Sequence, residues 1–431
     1  MRKLWKMRPK EKKKEKNMFA RVFLKPREEI EVAQGFPWVF DNEIDHVKFD
    51  SKSGVKQTSL EECMVKDGEV VEVFANAGGF LGTGVINKKS KITVRIIGKD
   101  HADQIMKDVQ GYYTKKIQDA YDLRKLYYDM KDSYRLVYAE ADLIPGLIVE
   151  RYFDVKKNIY LVVQFLSLSA EVFRKEILEA LKKIIRPYGI FERDDASVRE
   201  KEGLEEKACW LGEVREEKIT IRENDVLLEV DIAHGQKTGY FLDQKFNRKQ
   251  VSKLAAGKKV LDACSHTGSF GLNCFKGGAK EITSIDLSPE AVEMINRNIE
   301  LNKAGTKMKA VCADIFDALK DYEAKGEKFD LIILDPPAFT KNAKNIQKAY
   351  GGYKEINLRA MRLLTENGIL VTCSCSYFFD SEHFCGMIMK AAEDSKKRVQ
   401  ILAKYGAGPD HPVLAGYPKS EYLKCAVCRV L

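Results

Sequence analysis

Five short apolar runs in the second half of the chain each stop at an acid or just before a cysteine, and helical patterns separate them. The runs are Lys259–Ala263 with Asp262 near its end, Glu281–Ile285 before Asp286, Lys309–Ala313 before Asp314, Phe329–Leu334 before Asp335, and Gly368–Thr372 just before Cys375. Between the second and third, Ser288 and Pro289 form a cap and first helical residue, followed by Val292, Ile295 and Ile299 at helical spacing over 290–302. Apolar runs of strand length alternating with helical periods predict βαβ units and a parallel, doubly wound sheet. The carboxyl ends of such strands share one rim, where ligands bind. Asp262, Asp286, Asp314, Asp335 and Cys375 are therefore expected to face one crevice.

The first turn of this sheet, Cys264-Ser265-His266-Thr267-Gly268-Ser269, has one glycine where dinucleotide-binding loops carry three. Tight pyrophosphate contacts are thus disfavoured. Asp286, after the second strand, is placed to accept both hydroxyls of a ribose. A ribose without a tightly held phosphate suits S-adenosylmethionine. The expected cofactor contacts are Asp262, Ser265, Thr267 and Gly268 at the first turn, Asp286 and Leu287 at the second strand end, and Asp314 and Ile315 at the third.

Several stretches carry a closer likeness: GQKTGYFLDQ (235–244), VLDACSHTGSF (260–270), DPPAF (335–339) and SCS (374–376). LKPREEIEVAQGFPWVFDNEI (24–44), ADLIPGLIVERY (141–152), SVREKEGL (197–204) and YPKSEYLKCAVCRV (417–430) extend it to both ends. The chain resembles the class I S-adenosylmethionine-dependent large-subunit rRNA methyltransferases that form 5-methylcytosine. The resemblance covers nearly everything after Met18. It adds Tyr240, Phe241 and Gln244, in the segment 236–248 that precedes the sheet, to the expected cofactor contacts, with Asp243 and Arg248 in support. It implies an α/β protein in three parts: a β-barrel PUA domain that binds RNA (18–97), a small α+β central domain (98–204) and a Rossmann-like catalytic domain (205–431).

The residues agree with that division on their own terms. A length of 431 residues suggests roughly two to four domains. Residues 70–97 alternate short β-rich runs with turns, as a small barrel does. Residues 135–195 predict strands at 144–150 and 159–165, then an amphipathic helix carrying Val172, Ile177, Leu181 and Ile184.

Charge is a weaker guide to RNA binding than its total suggests. Residues 1–16 hold nine of the 73 Lys/Arg and two of the 64 Asp/Glu, leaving 64 against 62 for the rest. The +9 formal charge is thus mostly a basic N-terminal stretch (1–17), expected to be a disordered tail, and RNA recognition must rest on local patches of the body. No run approaches the ~20 apolar residues that cross a bilayer, and no secretory signal is evident, so a cytoplasmic protein with free thiols is expected. Cys425 and Cys428 form a CxxC without a second pair, so they predict a final buried strand rather than zinc, and no metal is expected. Homodimerisation stays open.

The resemblance implies a role for each residue of the two strand tips. Cytosine C5 is too poor a nucleophile to take a methyl group directly, and a thiolate added at C6 makes it reactive. Cys375 matches the family's nucleophile. Cys373, one pleat deeper, is the alternative thiol, with core packing its expected role. Asp335 falls beside the base at its N3 edge, where enclosure in a dry pocket favours the proton-bearing form. Pro336, Pro337 and Phe339 are the expected substrate contacts. Two departures matter. An amino-group methyltransferase has its aromatic directly after the second proline, where this chain has Ala338. Many RNA cytosine-5 enzymes carry a second cysteine at that same place, so the base that removes the C5 proton is not identified, with His383 and His411 only weak candidates. Methylation of guanine or another base position, and a non-catalytic RNA-binding protein, are the remaining alternatives. The second of these gives no reason for Asp286, Asp335 and Cys375 to occur together.

Overall fold

The computed structural model describes residues 19–51, 54–235, 238–340 and 343–431. The basic N-terminal stretch, with Met18, and residues 236–237 of the motif preceding the sheet lie outside them. The chain divides after Val109 into two compact units.

In the first unit seven strands form one sheet, in the order Trp38–Phe40, Ile92–Gly98, Phe80–Ile86, Val70–Phe74, Ala20–Leu24, Ile44–Ser51 and Gly54–Thr58. All neighbours are antiparallel except Ala20–Leu24 with Val70–Phe74. Alternating residues such as Val22 and Leu24, or Val71 and Val73, are fully buried on one face, as a period of two requires.

The second unit begins one residue inside the helix Val109–Lys125 and continues into a five-stranded sheet ordered Lys207–Trp210, Gly189–Asp194, Ile159–Phe165, Leu147–Phe153 and Tyr134–Tyr138. The strand expected at 144–150 starts at Leu147 instead, because Pro145-Gly146 makes the preceding turn and Gly146 holds φ +76°. The amphipathic helix is Arg174–Ile185, burying Ile177, Leu178, Leu181 and Ile185. Val172 falls in a separate short helix, Leu168–Val172, and is 41% exposed. A hairpin, Lys218–Glu223 with Val226–Asp231, turns through Asn224 and Asp225, both at positive φ as a two-residue primed turn demands.

The rest of this unit is the doubly wound sheet. Its elements are β1 (Lys259–Ala263), α1 (Ser269–Lys276), β2 (Glu281–Asp286), α2 (Pro289–Leu301), β3 (Met308–Cys312), α3 (Ile315–Ala324), β4 (Phe329–Leu334), α4 (Ile346–Leu363), β5 (Leu364–Ser374), α5 (Ser381–Ser395), β6 (Val399–Tyr405) and β7 (Lys424–Val430). The strand order is β3-β2-β1-β4-β5-β7-β6. The first five strands run parallel, and β7 enters antiparallel between β5 and β6.

Because the parallel strands are covered on both faces, their apolar runs are nearly continuous. Val260, Ile282, Leu331, Ile333 and Val371 pack on one side, and Leu261, Ile285, Ile332, Leu334 and Leu370 on the other. Each such side chain contributes about 1.5–3 kcal/mol by leaving water. Ser288 caps α2 by accepting from the Ala291 amide, and Pro289 occupies the first turn. Cys425 and Cys428 lie buried in β7. Among the described residues no cluster of His, Cys, Asp and Glu could hold a metal ion, and no helix is long and apolar enough to cross a membrane.

Candidate functional site

Between β1 and α1 the backbone is bent hard. Cys264, His266 and Gly268 take φ of +59°, +51° and +74°, left-handed values that non-glycine residues adopt rarely. Ser265 pins the turn from inside, its hydroxyl reaching the Asp262 and Ile285 carbonyls at 2.7 and 3.0 Å. A Cβ on Gly268 would stand 2.9 Å from Ile295 Cγ2 and 3.3 Å from Met308 Cε. Gly268→Ala is therefore expected to cost roughly 1–3 kcal/mol, read as a drop in the denaturation midpoint; an unchanged midpoint would show that the loop relaxes freely.

The acids expected on one rim separate into three kinds. Asp262 is not on the rim: β1 continues one residue further, and the fully buried carboxylate points into the layer against α1. Its Oδ2 accepts from the Gly271 amide and the Ser284 hydroxyl, both at 3.0 Å, and burial pushes its pKa up to about 6. Asp314 caps α3, Oδ1 accepting from the Phe316 amide at 2.7 Å, which is why β3 closes at Cys312 rather than at residue 313. Ile315, only 8% exposed, packs into the core. Asp286 and Leu287 do sit at the strand tip. Asp286 accepts from the His266 amide at 2.8 Å and from the Ser288 amide at 3.0 Å, one bond to each oxygen, which leaves further lone pairs for a ligand's hydroxyls. Leu287 is 66% exposed. The Cys264 thiol gathers these groups: burial raises its pKa most, followed by the charges of Asp286, Asp335, Asp262 and Asp314.

Two buried polar atoms at this turn, Thr267 Oγ1 and Asp262 Oδ1, have no hydrogen-bond partner. Polar atoms buried without partners usually await one. Thr267 Oγ1, with the open acceptors of Asp286 and the exposed Leu287 side chain, fits a ligand that offers hydroxyl donors and an apolar ring, as S-adenosylmethionine does.

At the tip of β4, Asp335 Oδ1 accepts from Gln244 Nε2 at 3.0 Å. The Asn247 side-chain amide donates to Gln244 Oε1 at 2.6 Å, fixing which way the glutamine points. Burial, then the charge of Asp243, pushes the Asp335 carboxyl up to about 7. Pro336 is buried and Pro337 exposed. The Phe339 ring lies against Tyr353 at 4.5 Å, and its amide donates to the Tyr353 hydroxyl at 3.4 Å.

Cys375 follows β5 directly and is half-buried between two buried serines. Ser374 donates to the Tyr353 hydroxyl at 3.1 Å, and Ser376 to the Thr340 carbonyl at 3.0 Å. Burial, and then the charge of Cys375 and more weakly that of Asp335, raise the Tyr353 hydroxyl to about 12, so one phenol senses both groups. Cys373 is fully buried, hydrogen-bonded to Cys425 opposite it in register.

Tyr240 lies deeper than a ligand contact need be. Only 2% exposed, it donates to Glu223 Oε1 at 3.0 Å, on a carboxylate that also takes two bonds from Arg248 at 2.6 and 2.9 Å. Phe241 meets His266 edge-on at 4.8 Å, reaching the bent turn. Both line a cavity of about 460 Å³ together with Arg135, Tyr138, Asp243 and Tyr422. His411 also lines it, its ring nitrogen 3.0 Å from Asp410, whereas His383 is 40% exposed beside Asp380.

Four groups at this site escape a reading by motif: Asp243, Tyr353, Lys424 and the Glu223–Arg248 pair. Each acts through partners distant in sequence. Asp243 and Arg248 gave a signal, as supporting residues of the segment around Gln244.

The matches to known proteins follow the same outline. Residues 195–407 match the family model for S-adenosylmethionine-dependent methyltransferase, and residues 22–99 that for a PUA-like domain. The chain is 36% identical over 418 residues to ribosomal RNA large subunit methyltransferase I of Aliivibrio fischeri, covering 96% of this chain and all of the relative. It is 37% identical to the protein of that name from Tolumonas auensis and 35% to that of Escherichia coli, with the same coverage. Among solved structures, a candidate SAM-dependent methyltransferase from Streptococcus mutans shares the fold, with TM-score 0.76 at 23% identity over 95% of this chain and 99% of its own.

Proposed function

Because the chain belongs to the family of the ribosomal RNA large subunit methyltransferases I, we propose that it methylates C5 of a cytosine in large-subunit rRNA, with Cys375 as the attacking thiol. The supporting observation is the pairing of two strand tips. An acid that keeps its proton up to about pH 7, Asp335, ends β4, and a half-buried thiol, Cys375, follows the neighbouring β5. Neither a methyltransferase for amino groups nor a simple RNA-binding module needs the thiol.

The thiolate of Cys375 adds to C6 of the cytosine, and the displaced π electrons pass towards N3, where the Asp335 proton receives them. C5 thereby becomes an enamine carbon. S-adenosylmethionine, when bound, supplies an electrophilic methyl group to that carbon. N3 then returns its proton to Asp335, a base takes the C5 proton, and the C5–H electrons form the C5–C6 double bond as the C6–S bond breaks and frees the Cys375 thiolate. The protein's part is to hold the thiol and the acid in place: Ser374 and Ser376 fix the residue between them, while Gln244 and Asn247 orient Asp335. Pro336, Pro337 and Phe339 shape the loop next to the base.

In this reading Asp286 and Leu287 hold the ribose and adenine of S-adenosylmethionine, Thr267 offers its unpartnered hydroxyl, and Phe241 closes over the turn. Residues 18–97 bind RNA, 98–204 form the central domain and 205–431 catalyse, all in the cytoplasm. Asp286→Ala is expected to weaken S-adenosylmethionine binding by roughly 1.5–3 kcal/mol, the range for hydrogen bonds to a charged partner. Titration calorimetry with unchanged affinity would remove Asp286 from the site.

The reaction itself is tested by incubating the purified protein with protein-free large-subunit rRNA and S-adenosylmethionine, then identifying the modified nucleoside by mass spectrometry. 5-Methylcytidine is expected. N4-methylcytidine, a methylated guanosine or no product would overturn the proposal.

A further inference from the structure

The antiparallel strand β7 places Lys424 directly opposite Ser374, one residue before Cys375. The lysine is only 8% exposed. Its ammonium donates to the main-chain carbonyls of Ser376 at 2.6 Å and of Tyr422 at 2.7 Å, so carbonyl groups, not a carboxylate, hold it. One of those carbonyls belongs to the residue after Cys375. A cation buried this way is expensive unless an anion forms nearby, and the site's proposed chemistry requires one, a thiolate.

We propose that Lys424 is the positioning residue for the nucleophile: its buried ammonium stabilises the thiolate of Cys375 and holds the backbone after it. The proposal rests on the reading of Cys375 as the attacking thiol and extends it to how that thiol is ionised. A thiolate is favoured beside a lysine, and the reactive form of a cysteine is the thiolate. The reciprocal effect is present on the lysine. Burial lowers its pKa to about 8, while its anionic neighbours, Cys375 first, then Asp380 and Glu421, oppose that fall. The ammonium is therefore charged below about pH 8, the range in which a free thiol is still protonated. Two described side chains feel the charge of Cys375, Tyr353 from α4, which is neutral in that range, and Lys424, so of the two the lysine is the cation.

The test reads the thiol without RNA or cofactor. The full-length protein is alkylated with iodoacetamide from pH 5.5 to 9.5, and the rate at Cys375 is followed by peptide mass spectrometry, which separates it from the other exposed cysteines. In the wild-type protein the midpoint is expected at least one pH unit below the ~8.5 of a free cysteine. Lys424→Met should raise that midpoint and slow alkylation at pH 7 by about tenfold for every pH unit the midpoint rises, while Lys424→Arg should keep it low. A wild-type midpoint at or above that of a free cysteine would overturn the proposal, and so would a Lys424→Met midpoint equal to the wild type. Should Lys424→Met fail to fold, the wild-type and Lys424→Arg profiles still decide. Failure of Cys375 as nucleophile shows in a different measurement, the trapping of RNA, and leaves this titration untouched.

Discussion

Cys375→Ala is expected to abolish both methyl transfer and the covalent complex with RNA carrying 5-fluorocytidine at the target position. Fluorine at C5 cannot leave as a proton does, so the adduct formed by the thiol persists and is seen as a protein–RNA band resistant to denaturant. The rate should fall by on the order of 10⁴-fold or more, the scale on which loss of a covalent nucleophile acts. Cys373→Ala should retain the band, with only the stability loss of a small cavity in the core, since its sulfur lies fully buried against Cys425. RNA attached to Cys373, or full activity in Cys375→Ala, would move the reactive thiol one pleat down the strand.

Asp335→Asn should produce two opposite changes. Its carboxyl is held at about 7 by burial and by Asp243, above the ordinary carboxylate value of about 4. The folded protein thus retains a proton that the unfolded chain has already lost. Stability from this group is present below about pH 4 and is lost as pH rises through about 7, because the buried carboxylate must then ionise. Asparagine has no charge to bury and still accepts from Gln244. At pH 8 the variant should therefore be more stable than the wild type by on the order of 2 kcal/mol, and equal to it near pH 4. Its methylation rate should nevertheless fall by roughly 10²–10⁴-fold, the usual effect of losing a positioned acid, because the amide can donate a hydrogen bond to N3 but cannot transfer its proton. In the wild type, activity should decline on the alkaline side of about pH 7, and in Asp335→Asn that decline should disappear. Thermal melts and rate profiles measured in the same buffers decide both points. Equal melting temperatures at pH 8 would show that the carboxyl is not strained.

The parallel half of the catalytic sheet was readable because each of its signals is local. An apolar run, an acid at its end and a Ser-Pro cap lie within a few residues of each other, and β2, α2 and β4 appear within a residue of where the pattern puts them. Asp262 misled even though its strand was read to the residue: an acid one place inside a strand end can face the rim or the layer beneath it, and the Gly271 amide and Ser284 hydroxyl draw this one inward. One pleat decides whether the side chain meets a ligand or the underside of a helix. Asp314 offers two uses of the same carboxylate, rim ligand and helix cap, and the Phe316 and Asp317 amides take it for the second. Lys424 could not be found at all. In Tyr-Leu-Lys-Cys it reads as an ordinary charged residue, and only the pairing of β5 with β7, across some fifty residues of chain, brings it beside the thiol. The Glu223–Arg248 pair is hidden for the same reason, since a hairpin tip and a helix supply its halves.

The late position of β7 in the chain has a consequence for how the molecule folds. Until that strand docks, β5 is an open sheet edge with its central amides unpaired, a template for association with other chains. The same docking brings the ammonium to the thiol. On the role proposed for Lys424, an incompletely folded chain has a sticky edge and an unactivated thiol, and the docking of the last strand seals the one as it activates the other.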